Sequence, residues 1–286
     1  MLKRKYMFIL IIFLFLFNNN LSYSDNCSQR GYLIAIGGGK RPEIALEKFI
    51  QLSGGNDSKI VIIPNASEEP KETCETILNE LGELGCTNMT VLNFDNKEAS
   101  DPNIIEILNN ADGLYFTGGD QEKLMRSLKD SKAIEIIRRK FNSGMTVCGT
   151  SAGSAVMSDI MITGTDNFTD IESEMFASIK KNMVETDKGI GFINNVVIDQ
   201  HFIKRKRFNR LISLILEKPF LKGLGIDENT AVIIDKYNNV SVVGDGTITL
   251  IDCGKCIGIT TDKNNNLKAE NIKINIYSGG DKFKLY

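Results

Sequence analysis

One segment of the chain has the residues of a serine nucleophile. Residues 149–153 read GTSAG, a G-x-S-x-G pattern that directly follows the apolar run Met145–Cys148. At a sharp turn from strand to helix, this pattern would lift the hydroxyl of Ser151 out of the sheet and place it at a helix N-terminus. The backbone N–H of Ala152 would then point at a developing oxyanion, and Gly119, at the end of a neighbouring strand, could supply a second N–H.

The chain contains a single histidine, His201, among its 286 residues. A serine nucleophile needs a base whose pKa lies near neutrality, and His201 is the one imidazole that could serve. It follows the apolar stretch Val196–Asp199, so both reactive side chains are expected on the same side of one sheet. The same count excludes histidine-rich zinc, di-iron and haem-pair sites, and we expect neither a metal nor a cofactor.

The acid that would orient this imidazole is left open by the spacing. Glu228, in the segment GIDENTA, comes just after another apolar stretch, whereas Asp170 and Glu172 lie between the serine and the histidine. Each carboxylate could hold the ring by accepting a hydrogen bond from Nδ1. On residue types alone, all three are candidates.

A run of cations, FIKRKRFNR, follows the histidine directly. Such a run is usually a solvated helix face or a nucleic-acid patch. Here it begins three residues after the presumed base in an acidic protein, and guanidinium groups can hold carboxylates with two parallel hydrogen bonds. The position therefore favours a role for these cations in recognising a substrate carboxylate. The segment Lys204–Leu216 is predicted to form an amphipathic helix.

The elements that must position these residues follow a βαβ pattern. From Gly31 onward, short apolar strands alternate with helical stretches, which predicts a mainly parallel sheet covered on both faces. Most strands end in glycine or a small polar residue, where open parallel sheets bind ligands. From Gly223 the strands are separated by Asn, Gly and Asp turns, which predicts antiparallel hairpins. No linker interrupts the pattern, so residues 25–286 are predicted to form one domain.

The first 24 residues are predicted to be a signal peptide. A basic segment, MLKRKY, precedes the apolar run Met7–Phe17 and a short polar segment that ends at Ser24. The apolar run is shorter than the roughly 20 residues that span a bilayer. We therefore expect cleavage after Ser24, export to an extracellular or periplasmic location, and no membrane attachment afterwards. Cleavage would change the net charge from −2 to −5, so nucleic acid is not an expected partner.

Two other segments invite a functional interpretation that their spacing does not favour. The CGKC at 253–256 lacks both a following helix and a second CxxC, which disfavours a redox or zinc role. The GGG at 37–39 ends a strand, as a phosphate loop would, but lacks the spacing of a nucleotide-binding motif. In an oxidising compartment, Cys74 with Cys86 and Cys253 with Cys256 are candidate disulfides, although spacing does not fix the pairing.

Five ordered motifs resemble those of the cyanophycinases, a serine peptidase family that also includes the aspartyl dipeptidase peptidase E. They lie within about Tyr32–Asp252 and read TGGDQ (117–121), GTSAGS (149–154), DQHF (199–202), R-x-R-x-x-R (205–210) and GIDENTA (225–231). The resemblance implies an α/β fold, a flavodoxin-like three-layer αβα sandwich like that of class I glutamine amidotransferase domains. The chain departs from the family at Ser154, where alanine is common.

The resemblance also implies roles for residues. Ser151 would be the nucleophile, His201 the general base and Glu228 the acid, an order unlike the Ser, Asp, His of α/β-hydrolases. The family's substrate pocket is matched by six polar residues: Gln121, Asp199, Gln200, Arg205, Arg207 and Arg210. Cyanophycinases cut a poly-aspartate backbone whose β-carboxyls carry arginine, and they release β-aspartyl-arginine. The arginines would hold aspartyl carboxylates, while Asp199 or another acid would meet the arginyl guanidinium.

The implied function is that of an exported serine exopeptidase acting on an acidic, arginylated polypeptide. Two alternatives stand beside it: a peptidase E-like dipeptidase for N-terminal aspartyl dipeptides, and a catalytically inactive binding protein on the same fold. The R-x-R-x-x-R run favours the exopeptidase over the dipeptidase. The presence of serine, histidine and glutamate together disfavours the inactive protein. A homodimer is possible on this sequence.

Overall fold

The computed structural model describes residues 30–164 and 178–286. The strands in these ranges are β1 (Leu33–Ile36), β2 (Ile60–Ile63), β3 (Met89–Val91), β4 (Gly113–Phe116), β5 (Thr146–Thr150), β6 (Ile160–Ile162), β7 (Thr186–Lys188), β8 (Val196–Gln200), β9 (Lys222–Ile226), β10 (Thr230–Ile234), β11 (Asn239–Gly244), β12 (Thr247–Asp252), β13 (Ile257–Thr261), β14 (Leu267–Glu270), β15 (Lys273–Ser278) and β16 (Lys282–Lys284). The α-helices are α1 (Glu43–Ser53), α2 (Pro70–Glu83), α3 (Pro102–Asn110), α4 (Gln121–Leu128), α5 (Lys132–Asn142), α6 (Ala152–Ala155) and α7 (Phe208–Glu217).

The larger sheet has eight strands in the order β16-β11-β10-β1-β5-β4-β2-β3. The five strands from β1 to β3 in this order run parallel, and β10, β11 and β16 add an antiparallel edge. The strands β1, β2 and β4 are buried at every position, as strands covered on both faces must be. The prediction of a mainly parallel sheet with antiparallel strands near the C-terminus is confirmed.

Helices cover both faces of this sheet. Because side chains alternate along a strand, Ile34 and Ile36 pack with α1 and α2, whereas Leu33 and Ala35 face the opposite side. On that opposite side lie α3, α4, α5 and α6, together with the inner face of a second sheet. The last helix, α7, packs on the outer face of that second sheet. The core therefore has the layered αβα arrangement that the resemblance implies.

The histidine follows β8, which belongs to the second sheet, of order β15-β12-β9-β8. Ser151 follows β5 of the larger sheet, so the expectation that both strands share one sheet is wrong. The two sheets meet because β9 of one sheet continues through the turn 227–229 into β10 of the other. Backbone hydrogen bonds from His201 N to Gly37 O (2.7 Å) and from Gly37 N to Thr230 O (2.9 Å) hold the strand ends together.

The cysteines differ in part from expectation. Cys253 and Cys256 form a disulfide that closes the CGKC turn. Cys74 and Cys86 are free and buried among apolar residues, so the other candidate bridge is not formed in the structure. Within residues 30–164 and 178–286, no helix is both long and apolar enough to cross a membrane. The predicted signal peptide lies outside the described residues.

Candidate active site

Ser151 occupies a strained turn between β5 and α6. Its backbone has φ 51° and ψ −115°, a conformation that costs energy for a residue with a side chain. The hydrogen bond from Ser151 N to Ile36 O, at 2.9 Å, ties the turn to the neighbouring strand β1. The following helix can lie this close because Gly153 has no side chain: a Cβ there would come within 2.4 Å of the Phe116 carbonyl oxygen. The sequence GTSAG thus folds as the predicted sharp elbow.

The imidazole of His201 lies directly beside this elbow. Its Nε2 is 2.8 Å from the hydroxyl oxygen of Ser151, and its Nδ1 is 2.7 Å from Oε1 of Glu228. His201 has a positive φ of 50°, which turns the chain sharply at the end of β8. With a proton on Nδ1, the ring donates to the carboxylate and leaves Nε2 free to accept the serine proton. We call Ser151, His201 and Glu228 the triad.

Glu228 reaches the imidazole from the turn that joins the two sheets. This turn is fixed by hydrogen bonds from Asn229 N to Gly38 O (3.0 Å) and from Thr230 Oγ1 to the Glu228 carbonyl (3.1 Å). The Glu228 side chain is about a quarter exposed, at 27%. Asp170 and Glu172, the other sequence candidates for the acid, lie outside the described residues.

The glycine segment 37–39 makes room for the triad. Gly38 has φ +107°, and a Cβ there would stand 2.2 Å from Cε1 of His201. A Cβ on Gly39 would stand 3.0 Å from Cβ of Glu228. The GGG segment, which the sequence presents as an unconvincing phosphate loop, therefore packs against the imidazole. The contact between this segment and His201 could not be predicted from their spacing in the sequence, because the two follow strands of different sheets.

The surroundings of His201 favour a neutral ring. Burial lowers the pKa of His201 below its ordinary value of 6.5, and the positive charges of Arg205 and Arg207 lower it further. The hydrogen bond to Glu228 acts in the opposite direction and raises the pKa. Since burial is the largest of these influences, His201 is neutral at pH 7 and can accept a proton.

The oxyanion hole predicted from the sequence would use two backbone N–H groups near Ser151. The N–H groups of Ala152 and Gly119 have no hydrogen-bond acceptor among the described residues. Ala152 is the first residue of α6, so the helix dipole adds to its attraction for negative charge. Gly119 has φ +136°, and a Cβ there would meet the Ala66 carbonyl oxygen at 2.0 Å, so this position requires glycine.

The arginines predicted to bind substrate border a cavity of about 390 Å³ that reaches Ser151. We call it the arginine cavity. Its walls contain five of the six predicted pocket residues, namely Gln121, Gln200, Arg205, Arg207 and Arg210. Gln121 is buried there and uses its amide nitrogen to donate to the Ile162 carbonyl at 3.0 Å. Glu68 and Asp120 supply acidic groups on the same cavity wall.

Asp199, the sixth predicted residue, takes a different place. Its carboxylate is fully buried and accepts hydrogen bonds from Nε and Nη2 of Arg210, while Nη1 of Arg207 lies 3.6 Å away. Asp199 is not part of the arginine cavity wall. The resemblance implies that Asp199 or another acid meets the arginyl guanidinium; because Asp199 is buried and pairs with the arginines, the structure favours another acid for that role.

The segment that carries Arg205 and Arg207 is a turn rather than a helix. The helix α7 begins at Phe208, later than the predicted start at Lys204. Lys206 has φ 54°, in the left-handed region that a right-handed helix does not contain. The turn presents Arg205 and Arg207 to the cavity from a position between the histidine and α7.

Ser154, where the chain departs from the family resemblance, is fully buried next to the elbow. Its hydroxyl oxygen lies 2.8 Å from the Ile36 carbonyl oxygen and 2.7 Å from that of Gly149. One hydroxyl proton thus serves two neighbouring strands, and the residue supports the backbone around Ser151. The only indication of this role in the sequence is that position 154 has serine where the family commonly has alanine.

Comparison with known proteins identifies the family of the chain. Residues 33–241 match the model of peptidase family S51. The cyanophycinase of Geminocystis herdmanii is 32% identical over 89% of this chain and 93% of its own length. A peptidase E of Nostoc sp. is 27% identical over 52% of this chain and 60% of its own. A solved peptidase from an acI-B1 actinobacterium has the same fold, with a TM-score of 0.66 at 21% identity over 90% of this chain and 97% of that one.

Proposed function

The chain belongs to peptidase family S51 and is a serine peptidase, and on that premise we propose that it hydrolyses cyanophycin to β-aspartyl-arginine dipeptides. The observation that carries the proposal is the arginine cavity, which opens beside the hydroxyl of Ser151. Each unit of this polymer has an arginine linked through its α-amino group, so every unit carries a free carboxylate. A cluster of guanidinium groups, of which those of Arg207 and Arg210 are buried, suits such a substrate.

The triad would perform acyl transfer in two halves. His201 Nε2 accepts the proton of Ser151 as the serine oxygen attacks the backbone carbonyl, and Glu228 stabilises the imidazolium that forms. The N–H groups of Ala152 and Gly119 would hold the oxyanion. The imidazolium then gives its proton to the leaving amine, and a water molecule, activated by the same base, releases the acyl group.

The charges around the arginine cavity support binding of a zwitterionic unit. Arg210 is held by buried Asp199, so its guanidinium is fixed in orientation. Arg205 is exposed and can approach a carboxylate from the solvent side. Glu68 borders the same cavity and its side chain is 81% exposed, so an arginyl guanidinium can approach its carboxylate beside Lys123, with which it pairs. Asp120 is less available, because its carboxylate caps α4.

Export of the enzyme is a further part of the proposal. The basic and apolar pattern of residues 1–24 supports a signal peptide cleaved after Ser24. An exported enzyme would act on polymer outside the cytoplasm. Expression of the full chain in a secreting host, followed by N-terminal sequencing of the exported product, should give a chain that starts at Asp25. Retention of Met1 on a protein that stays in the cells would contradict export.

Product analysis on polymer tests the proposed substrate. Residues 25–286 would be incubated with purified cyanophycin and, separately, with short α-aspartyl dipeptides, and products identified by mass spectrometry. We expect β-aspartyl-arginine from the polymer with wild-type protein and none with the Ser151→Ala control. Hydrolysis of α-aspartyl dipeptides alone would instead show a peptidase E-like dipeptidase.

A further inference from the structure

A second cavity, of about 350 Å³, lies on the other side of Ser151. Ser151 and Gly119 border both cavities, but the imidazole of His201 borders only this second one. We call it the histidine cavity. Its wall also contains the glycine segment and several polar side chains, including Arg41, Ser67, Thr73, Tyr115 and Thr117.

The position of the base decides which half of the substrate each cavity would take. His201 must pass its proton from Nε2 to the leaving amine, so this amine has to lie within hydrogen-bond reach of the ring. The histidine cavity is therefore the place for the unit that leaves first. The arginine cavity is then left for the acyl unit, which stays on Ser151.

One residue that borders the histidine cavity has a buried polar group without a partner. Tyr115, on β4, is 1% exposed, and its hydroxyl has no hydrogen-bond partner among the described residues. An unpaired buried hydroxyl is destabilising, so such groups call for an explanation. Burial raises the pKa of Tyr115 well above 10, which keeps the hydroxyl protonated and able to donate.

Arg41 adds a fixed cation to the same wall. Its Nε and Nη2 both donate to the carboxylate of Glu80, which leaves Nη1 without an acceptor in the described part of the chain. Glu80 does not border the cavity, so it holds the guanidinium from behind. Arg41 and Tyr115 are close enough for the charge of Arg41 to act on the tyrosine hydroxyl.

We infer that Tyr115 and Arg41 form a subsite that binds a carboxylate of the unit released by cleavage. The hydroxyl and Nη1 are donors without acceptors on two residues that border one cavity, and a carboxylate offers acceptors to both. The inference rests on the proposed function, and it makes these two residues determinants of leaving-group specificity. In cyanophycin the carboxylate would be either that of the terminal backbone or that of the arginine on the terminal unit.

Three synthetic peptides of three β-aspartyl-arginine units separate these sources. The first has a free terminal carboxylate, the second has a terminal carboxamide, and the third carries agmatine in place of the last arginine. We expect wild-type protein to prefer the first peptide over one of the other two by about tenfold in kcat/KM, since a hydrogen-bonded charge contributes at about that level. The analogue that is cleaved more slowly than the first peptide is the one that lacks the carboxylate bound by the subsite.

The Tyr115→Phe variant tests the subsite directly. It removes only the unpaired hydroxyl, so thermal unfolding should show no loss of stability. We expect the tenfold preference to shrink severalfold, because kcat/KM should fall more for the favoured peptide than for the disfavoured one. Tyr277→Phe, which alters a partly buried tyrosine that is stacked on Phe283 and does not border the cavity, is the matched control and should keep the preference.

A second variant guards against an indirect effect. Arg41→Gln with Glu80→Gln removes the cation without leaving its partner unpaired, and the same selective loss is expected. An equal fall in kcat/KM for all three peptides in either variant would overturn the subsite, as would equal hydrolysis of the three by wild-type protein. Failure of wild-type protein to cleave any of them would overturn the proposed function and the subsite together.

Discussion

The triad and the arginine cavity meet at Ser151, but they are held in place by different means. The triad depends on backbone shape: Ser151 and His201 both have positive φ, and Gly38 leaves space for the imidazole. The arginine cavity depends on a buried charge, since Asp199 is fully buried and holds Arg210. The difference indicates that changes to the triad should act mainly on kcat, whereas changes to the cavity should act on stability and KM.

Removal of the nucleophile should have the largest effect. Ser151→Ala takes away the attacking oxygen while the backbone turn remains, so we expect kcat on polymer to fall by about 10³-fold or more. Circular dichroism and thermal unfolding would check that the fold persists. Activity within tenfold of wild type would contradict the role of the triad.

Loss of the buried charge of Asp199, behind the arginine cavity, should lower stability more than any single change in the wall of that cavity. Asp199→Asn leaves Arg210 buried without a counter-charge, and such a change costs about 3–5 kcal/mol of the free energy of unfolding. Asp252→Asn is the matched control, because its pair with Lys222 is partly exposed and should contribute less than about 1 kcal/mol. Equal losses in urea titrations of the two variants would contradict the comparison.

A methyl group on the glycine segment should disturb the triad although no triad residue is replaced. Gly38→Ala would bring a Cβ within 2.2 Å of the imidazole, and displacement of the ring should lower kcat on the order of 10²-fold. Gly55→Ala shares the backbone cost, with φ +98°, but has nothing within 4 Å of its Cβ. If both variants kept full kcat, the glycine segment would not be needed to position the base.

The hydroxyl behind the elbow should have a modest effect. Ser154→Ala loses a buried hydrogen bond to Ile36 or Gly149, and about 1 kcal/mol of unfolding free energy should be lost. Ser143→Ala removes an exposed hydroxyl and should change stability very little. Thermal unfolding of both variants provides the measurement, and a loss in Ser143→Ala as large as in Ser154→Ala would count against this support.

The pH dependence should show the smallest and most specific effect. His201 must be neutral to act as a base, and its pKa is lowered, so kcat/KM should rise with pH along a limb below 6.5. Arg205→Gln removes a positive charge that disfavours protonation, so the pKa of His201 should rise and the limb should move to higher pH. Lys204→Gln is the neighbouring control. A limb that moved downward in Arg205→Gln would contradict the assignment.

Much of the triad could be predicted because short motifs fix local geometry. The G-x-S-x-G spacing specifies the elbow at Ser151, and a lone histidine at a strand end leaves one choice of base. The sequence could not decide which acid orients the imidazole, because Glu228 is brought to His201 by a turn between two sheets and no local motif indicates that contact. The separate sheet of β8 was likewise missed, since strand pairing is decided by contacts distant in sequence.

The arginine cavity and the histidine cavity were harder to predict than the triad, because burial and charge pairing depend on tertiary packing. Arg205, Arg207 and Arg210 were identified by resemblance, yet the sequence does not say that Asp199 is buried against them. Tyr115 and Arg41 carry no motif at all. The only signal for Arg41 in the sequence is its position just after the glycine segment. That position points to the active site only once the glycine segment is known to contact His201.

Covalent labelling of Ser151 tests the central claim most directly. Residues 25–286 would be titrated with a serine-directed phosphonofluoridate, and the adduct located by peptide mass spectrometry while cyanophycin hydrolysis is followed in parallel. We expect one adduct, on Ser151, with hydrolysis lost in proportion to labelling, and slow labelling in His201→Ala. Hydrolysis that survives complete modification of Ser151 would contradict the assignment of this serine as the nucleophile.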